Sequence, residues 1–171
     1  MYNFKLKFSK EEIGEYADRY NYNEKLLPSD AIEFGKHNKY LSKSDFLQIC
    51  EWKSARTKHH CVSNNENYVK EVTETALTKK SDQLRIEILT LLKGVSWPTA
   101  SVILHFCHEL EFPILDFRAL YSLGYDKIPK YDYQFWKKYT EHCRSLSNEL
   151  EIDLRTLDKA LWQYSKENQI K

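Results

Sequence analysis

The stretch that most constrains the fold is LTLLKGVSWPTASVILHFCHELEFPILDFRALYSLG, residues 89–124. Two apolar segments at helical spacing flank the short break KGVSWP at 93–98. Pro98 suits the first turn of a helix, where its missing N–H is not needed. The segment that follows, roughly 98–109, carries Ala100, Val102, Ile103, Leu104 and Phe106. A helix this apolar around its circumference belongs in the centre of a core. Pro113 then forces a non-helical link. Asp116 can cap a short helix that ends at Gly124, a natural residue just past a helix C-terminus.

Helical signals extend along the rest of the chain. Ser9 with Glu12 makes a capping-box pattern ahead of Ile13, Tyr16, Ala17 and Tyr20, which predicts a helix over roughly 10–21. Pro28-Ser29-Asp30 reads as a turn and cap before a short helix to about 38. Ser42 or Ser44 can cap a third helix bearing Phe46, Leu47, Cys50 and Trp52. The polar segment 54–64 reads as a loop. Asn64 or Asn65 can cap a helix with Val69, Val72, Ala76 and Leu77 inward, and Ser81 opens another with Leu84, Ile88, Leu91 and Leu92. Asp132 and Asp153 cap the last two. The sum is about nine helices with short connections. Four glycines and four prolines are too few for a turn-rich all-β architecture. The expectation is a compact all-α multi-helix domain spanning 1–171, with a helix, hairpin and helix at about 82–109 and an aspartate segment at 112–124.

Composition narrows the function classes. The chain has 171 residues, 42% of them hydrophobic, enough for a sizeable core and against disorder. A formal net charge of +1 implies no strongly acidic or basic partner from the total alone, so any nucleic-acid surface must arise from local clustering. No stretch approaches the ~18 apolar residues of a membrane span, and the N-terminal segment lacks an apolar signal region. A cytoplasmic monomer without a membrane partner is expected. Cys50, Cys61, Cys107 and Cys143 form no CxxC pair, which argues against a zinc ribbon or an iron–sulfur cluster. His105 and His108 lie three apart, a spacing two metal ligands can use, but no carboxylate or thiolate completes a set. No metal and no cofactor are expected.

The hairpin carries the chemistry. Gly94 can adopt a positive φ and approach a neighbour closely. N–H groups of the hairpin and of the helix opening at Pro98 converge at one place and make an anion site that fits a DNA phosphate without reading bases. Asp116 stands at a helix N-terminus, where the dipole and local N–H groups favour a carboxylate. Trp97 at the hairpin can stack on a base or wedge into a gap, or simply pack on a helix. Trp52, Lys53 and Arg56 join an aromatic and two cations at a helix end, and Arg118 can hold a phosphate or pair with a carboxylate. Lys58, His59 and His60 form a small basic cluster. Trp162, Tyr164, Ser165 and Lys166 lie on the last helix.

In L92-K-G-V-S-W-P-T-A100, followed by FPILD at 112–116, the chain resembles the helix–hairpin–helix superfamily of base-excision DNA glycosylases. EWKSAR at 51–56 and ALWQYSKENQ at 160–169 are similar to motifs of short bacterial proteins that carry this hairpin. The resemblance implies a glycosylase-like all-α fold with DNA as partner. The hairpin (Gly94, Val95, Ser96, Thr99) would grip the phosphate backbone. Asp116 would be the catalytic carboxylate, and Trp52, Trp97, Lys53, Arg56 and Arg118 would serve the substrate. Two positions depart from the pattern. Pro98 stands where bifunctional members place a lysine nucleophile, so no Schiff-base lyase step is expected. Ser96 replaces the last hairpin glycine. The expected activity is hydrolysis of the N-glycosidic bond of a flipped damaged or modified base, a modified pyrimidine in phage DNA being one candidate. A non-catalytic DNA-binding module and a helical protein–protein adaptor are the alternatives.

Overall fold

The computed structural model describes residues 2–22, 26–108 and 112–169. Among these residues there are ten α-helices and no strand. In chain order they are α1 (Ile13–Arg19), α2 (Ser29–Asn38), α3 (Lys43–Lys53), α4 (Lys58–Cys61) and α5 (Glu66–Thr78). They continue with α6 (Asp82–Leu89), α7 (Trp97–Cys107), α8 (Phe117–Ser122), α9 (Tyr133–Glu149) and α10 (Leu154–Asn168). The helices belong to two compact units, Asn23–Glu111 and Met1–Tyr22 with Phe112–Lys171.

In the unit Asn23–Glu111, α7 is the hub. It packs on α2, α3, α5 and α6. Ala100, Val102, Ile103, Leu104 and Cys107 are fully buried, as the apolar run requires. Each fully buried branched aliphatic side chain contributes on the order of 1.5–3 kcal/mol. The flanking helices start where side-chain oxygens satisfy their first N–H groups: Ser42 accepts from Asp45, Asn65 from Asn67 and Tyr68, and Ser81 from Leu84. The segment expected to be a loop, 54–64, is instead a 3₁₀ turn at Ala55–Thr57 running into α4. Two inward side chains explain the difference. Cys61 is completely buried in a segment that is otherwise polar, and with buried Asn64 it anchors that segment as a turn of helix.

In the unit of Met1–Tyr22 and Phe112–Lys171, α1 lies along α10, and α10 also packs on α8 and α9. Phe135, Trp136, Tyr139, Cys143 and Leu146 make one buried stripe on α9 at helical spacing. A hydrogen bond and a ring stack hold the segment leading to Asp116. The Tyr139 hydroxyl donates to the Ile114 carbonyl at 2.7 Å, and the Phe112 ring stacks on Trp136 at 5.5 Å. At the other end of α8, Lys5 and Lys7 donate backbone N–H groups to Leu123 and Ser122 at 3.0 and 2.9 Å. Asp116, Asp132 and Asp153 cap α8, α9 and α10, as their positions imply. No helix among the described residues is long and apolar enough to cross a membrane.

Candidate functional site

The link between α6 and α7 is a tight turn around Gly94, whose φ is +82°. A side chain there would be strained and would have no room. A methyl group would lie 2.6 Å from Cys61 Sγ and 2.9 Å from the Cys61 backbone nitrogen. The glycine is therefore needed twice, for its φ and for the contact with α4. Asn64 completes the join. Its amide donates to the carbonyls of Cys61 and Lys93 at 2.8 and 2.9 Å, and its oxygen accepts the Lys93 N–H at 2.8 Å. Beneath this clamp the Cys50 thiol is held protonated, first by its hydrogen bond with Cys61 and then by burial. Asn64 escapes a sequence reading because either of two adjacent asparagines can cap α5. Asn65 takes the cap, which leaves Asn64 free for the hairpin.

What the turn presents outward is backbone. Among the described residues, no protein acceptor takes the N–H of Ser96, Trp97 or Thr99. Ser96 is exposed and makes no side-chain cap. Pro98 has no N–H, and the first helical bond runs from Ala100 to the Ser96 carbonyl at 2.8 Å. Val95 and Thr99 bury their side chains, so they face a ligand only through the main chain. Three donors thus stand at the positive end of the α7 dipole, the arrangement that binds an anionic oxygen. Cations border it. Lys93 is exposed in the turn itself, and His60, whose Cβ faces Gly94, lies ring to ring with His59 at 3.8 Å. Lys58 pairs with Glu51 at 2.6 Å. Arg56 is exposed on the 3₁₀ turn that feeds α4.

The two tryptophans expected to serve the substrate lie toward opposite ends of α7. Trp97 is half-buried in the first turn of α7. Trp52, near the end of α3, sets its ring edge-on to Phe106 at 5.3 Å, near the last turn of α7. Nine residues of helix separate those ends by about 13 Å. Lys53 is half-buried beside Trp52 at the C-terminal end of α3.

Asp116 and Arg118 belong to the other unit. Asp116 is half-buried, and its carboxylate accepts the Arg118 backbone N–H at 2.9 Å. Its charge is felt nearby: burial first, and then Asp116, push the Tyr131 hydroxyl up to about 12. Among the described residues the Arg118 guanidinium meets no carboxylate. It lies over the rings of Phe117 and Trp162, 5.1 Å from each centroid. Among the described residues no group of three or more His, Cys, Asp or Glu side chains gathers to hold a metal ion.

Family models, curated proteins and solved structures were compared with the chain, and none matches it.

Proposed function

We propose that the protein is a monofunctional DNA glycosylase of the helix–hairpin–helix kind, acting on a flipped damaged or modified base. The observation that carries this reading is the α6–α7 turn, where the N–H groups of Ser96, Trp97 and Thr99 open a buried helix without a protein acceptor. The turn is braced from behind by Asn64 and Cys61 rather than left loose. A rigid set of outward main-chain donors suits a phosphate oxygen and is indifferent to sequence. A glycosylase needs that property, because its specificity lies in the base it extrudes.

The chemistry falls to Asp116. Breaking an N-glycosidic bond makes the sugar cation-like, and a fixed carboxylate stabilises that charge or orients the attacking water. Pro98 leaves no amine in the hairpin for a Schiff base, so the product is an abasic site and strand cleavage by that route does not follow. The test is base release. Duplexes carrying damaged, mismatched or naturally modified bases, phage DNA included, are incubated with the protein and then treated with hot alkali. Breaks at abasic sites that disappear with Asp116→Asn are expected. No breaks across the panel, with salt-sensitive DNA binding intact, would overturn the enzyme.

A second reading keeps the hairpin and drops the catalysis. One observation favours it: the Asp116 carboxylate already serves as the cap of α8. A pure DNA-binding module tolerates Asp116→Ala in binding assays. Either reading requires that affinity fall as salt rises.

A further inference from the structure

The last helix carries a surface that the hairpin does not use. On α10 the residues Arg155, Lys159, Trp162 and Lys166 are spaced four, three and four apart, so they form one stripe. Over eleven residues the stripe is about 16 Å long. Two tyrosines from the end of α1 lean on it. Tyr22 stacks on Trp162 at 4.7 Å and 27°, and Tyr20 meets the same indole edge-on at 5.3 Å. Tyr22 keeps 45% of its surface exposed.

Cations are laid over these rings. Arg118 and Lys166 stand 5.1 and 5.3 Å from the Trp162 centroid, while Arg155 and Lys159 stand 5.2 and 6.0 Å from Tyr20. Two carboxylates answer them: Asp158 pairs with Arg155, and Asp153 feels the charge of Lys159. Among the described residues no ion pair joins Arg118 or Lys166 to a carboxylate; Lys166 donates to the Asn21 side-chain oxygen at 3.2 Å, and Glu167 feels its charge. A neighbouring aromatic cluster shows what a purely structural arrangement looks like. Phe8, Tyr16 and Tyr164 pack together, and the cation over Tyr16, Arg19, is neutralised by both oxygens of Glu167 at 3.1 Å. At Trp162 itself the two cations, Arg118 and Lys166, lack such a bidentate carboxylate partner among the described residues.

We infer that the Tyr20–Tyr22–Trp162 stripe of α10 binds a short single strand of DNA, its bases stacked on the rings and its phosphates met by Arg118, Lys159 and Lys166. π faces alternating with cations along a half-buried line, open at Tyr22 and Lys166, match the alternation of base and phosphate in an unpaired strand. A duplex hides its π faces, so the stripe selects the unpaired form. The choice of DNA over RNA rests on the reading of the hairpin given above.

The test is fluorescence anisotropy of a labelled ten-nucleotide thymidine strand with the full chain at low salt. Trp162→Ala should weaken binding at least about tenfold, within the range of one lost base–ring stack. Trp162→Phe should recover most of that loss, which separates stacking from damage to the fold. Exposed Lys166→Gln should weaken binding severalfold and reduce the slope of log affinity against log salt by about one. Unchanged affinity in Trp162→Ala and Lys166→Gln would overturn the inference, as would failure of the native chain to bind the strand. A uridine strand held tenfold tighter than thymidine would overturn the assignment to DNA. Base release provides the separation from the enzymatic reading. Strand binding without base release from any duplex sinks the enzyme and leaves the stripe standing. Base release without strand binding does the reverse.

Discussion

Two helix starts lie at the centre of the functional reading, and they are built in opposite ways. At α8 the chain supplies its own anion: the Asp116 carboxylate takes the Arg118 N–H at 2.9 Å and closes the end from within. At α7 the exposed Ser96 makes no cap, Pro98 has no N–H, and three donors remain for a visitor. The first start costs the protein little and is stable alone. The second leaves donors that only an external acceptor satisfies, and it is the one braced from behind by a buried asparagine. The contrast teaches where to look for a ligand: not at the residue best suited to capping, but at the helix whose cap is withheld.

The largest effect should come from removing the brace. Gly94→Val places a branched side chain at φ +82° against the Cys61 backbone. Backbone strain and overpacking together should destabilise the fold by about 3 kcal/mol or more. A denaturant midpoint unchanged from the native chain would show that the hairpin is not locked as described. The comparable change at the α8 start is chemical rather than structural. Asn is as good a cap as Asp, so Asp116→Asn should leave stability within a few tenths of a kcal/mol. If Asp116 stabilises a cationic sugar, the same change should slow base release at least about a hundredfold, near 2.7 kcal/mol of barrier. Asp116→Ala should cost about 1 kcal/mol of stability as well. Loss of stability without loss of base release would reduce Asp116 to its cap.

A third variant converts one start into the other. Ser96 has φ −105° and ψ 174°, the extended geometry of a capping residue. Ser96→Asp should therefore cap α7 and stabilise the chain by up to about 1 kcal/mol. The same carboxylate would occupy and repel the anion site, so duplex affinity should fall severalfold, most at low salt. Affinity that rises with stability would break the comparison, because it would mean the donors of α7 do not face the phosphate.

Much of this was readable from residues alone, and the exceptions have physical causes. Short-range rules carried the elements: Ser42, Ser81, Asp116, Asp132 and Asp153 all cap the helices they precede. The apolar run 98–109 announced the buried α7, because a helix with no polar face has one place to go. What failed to show was tertiary. α4 is invisible in a polar segment whose one buried apolar group is Cys61. Asn64 looks like its neighbour until a carbonyl 29 residues away claims its amide. Trp52 and Trp97 are both expected to serve the substrate, yet they sit at opposite ends of α7, an axial separation that no spacing rule reveals. The α10 stripe was half legible. The 155, 159, 162 and 166 spacing is in the chain, whereas the stacking of Tyr20 and Tyr22 on Trp162 joins residues 140 or more apart.

The smallest expected effect lies away from both helix starts, at His142 on α9. It lines a cavity of about 340 Å³ with Phe4, Leu6, Lys10 and Leu146, and its ring is stacked by Phe4 at 5.4 Å. Burial, and then the nearby Lys10 charge, hold its pKa below the ordinary imidazole value. Nε2 is buried, with no hydrogen-bond partner among the described residues. The sign follows from proton counting. The unfolded chain protonates this histidine more readily than the folded one does, so stability is fully present above about pH 6.5 and declines as pH falls through the depressed folded value. The carboxylates held low, Asp153 and Glu167, lose their contribution only further down, below the ordinary carboxylate range, so the two windows separate. Unfolding midpoints measured from pH 7.5 to pH 5 should therefore fall modestly in the native chain. They should flatten in His142→Phe, which keeps the stacking ring and removes the titration. An equal fall in both would place the acid sensitivity elsewhere. A flattened profile with hairpin function intact would show that the acid response belongs to the unit of α9, separate from the donors at α7.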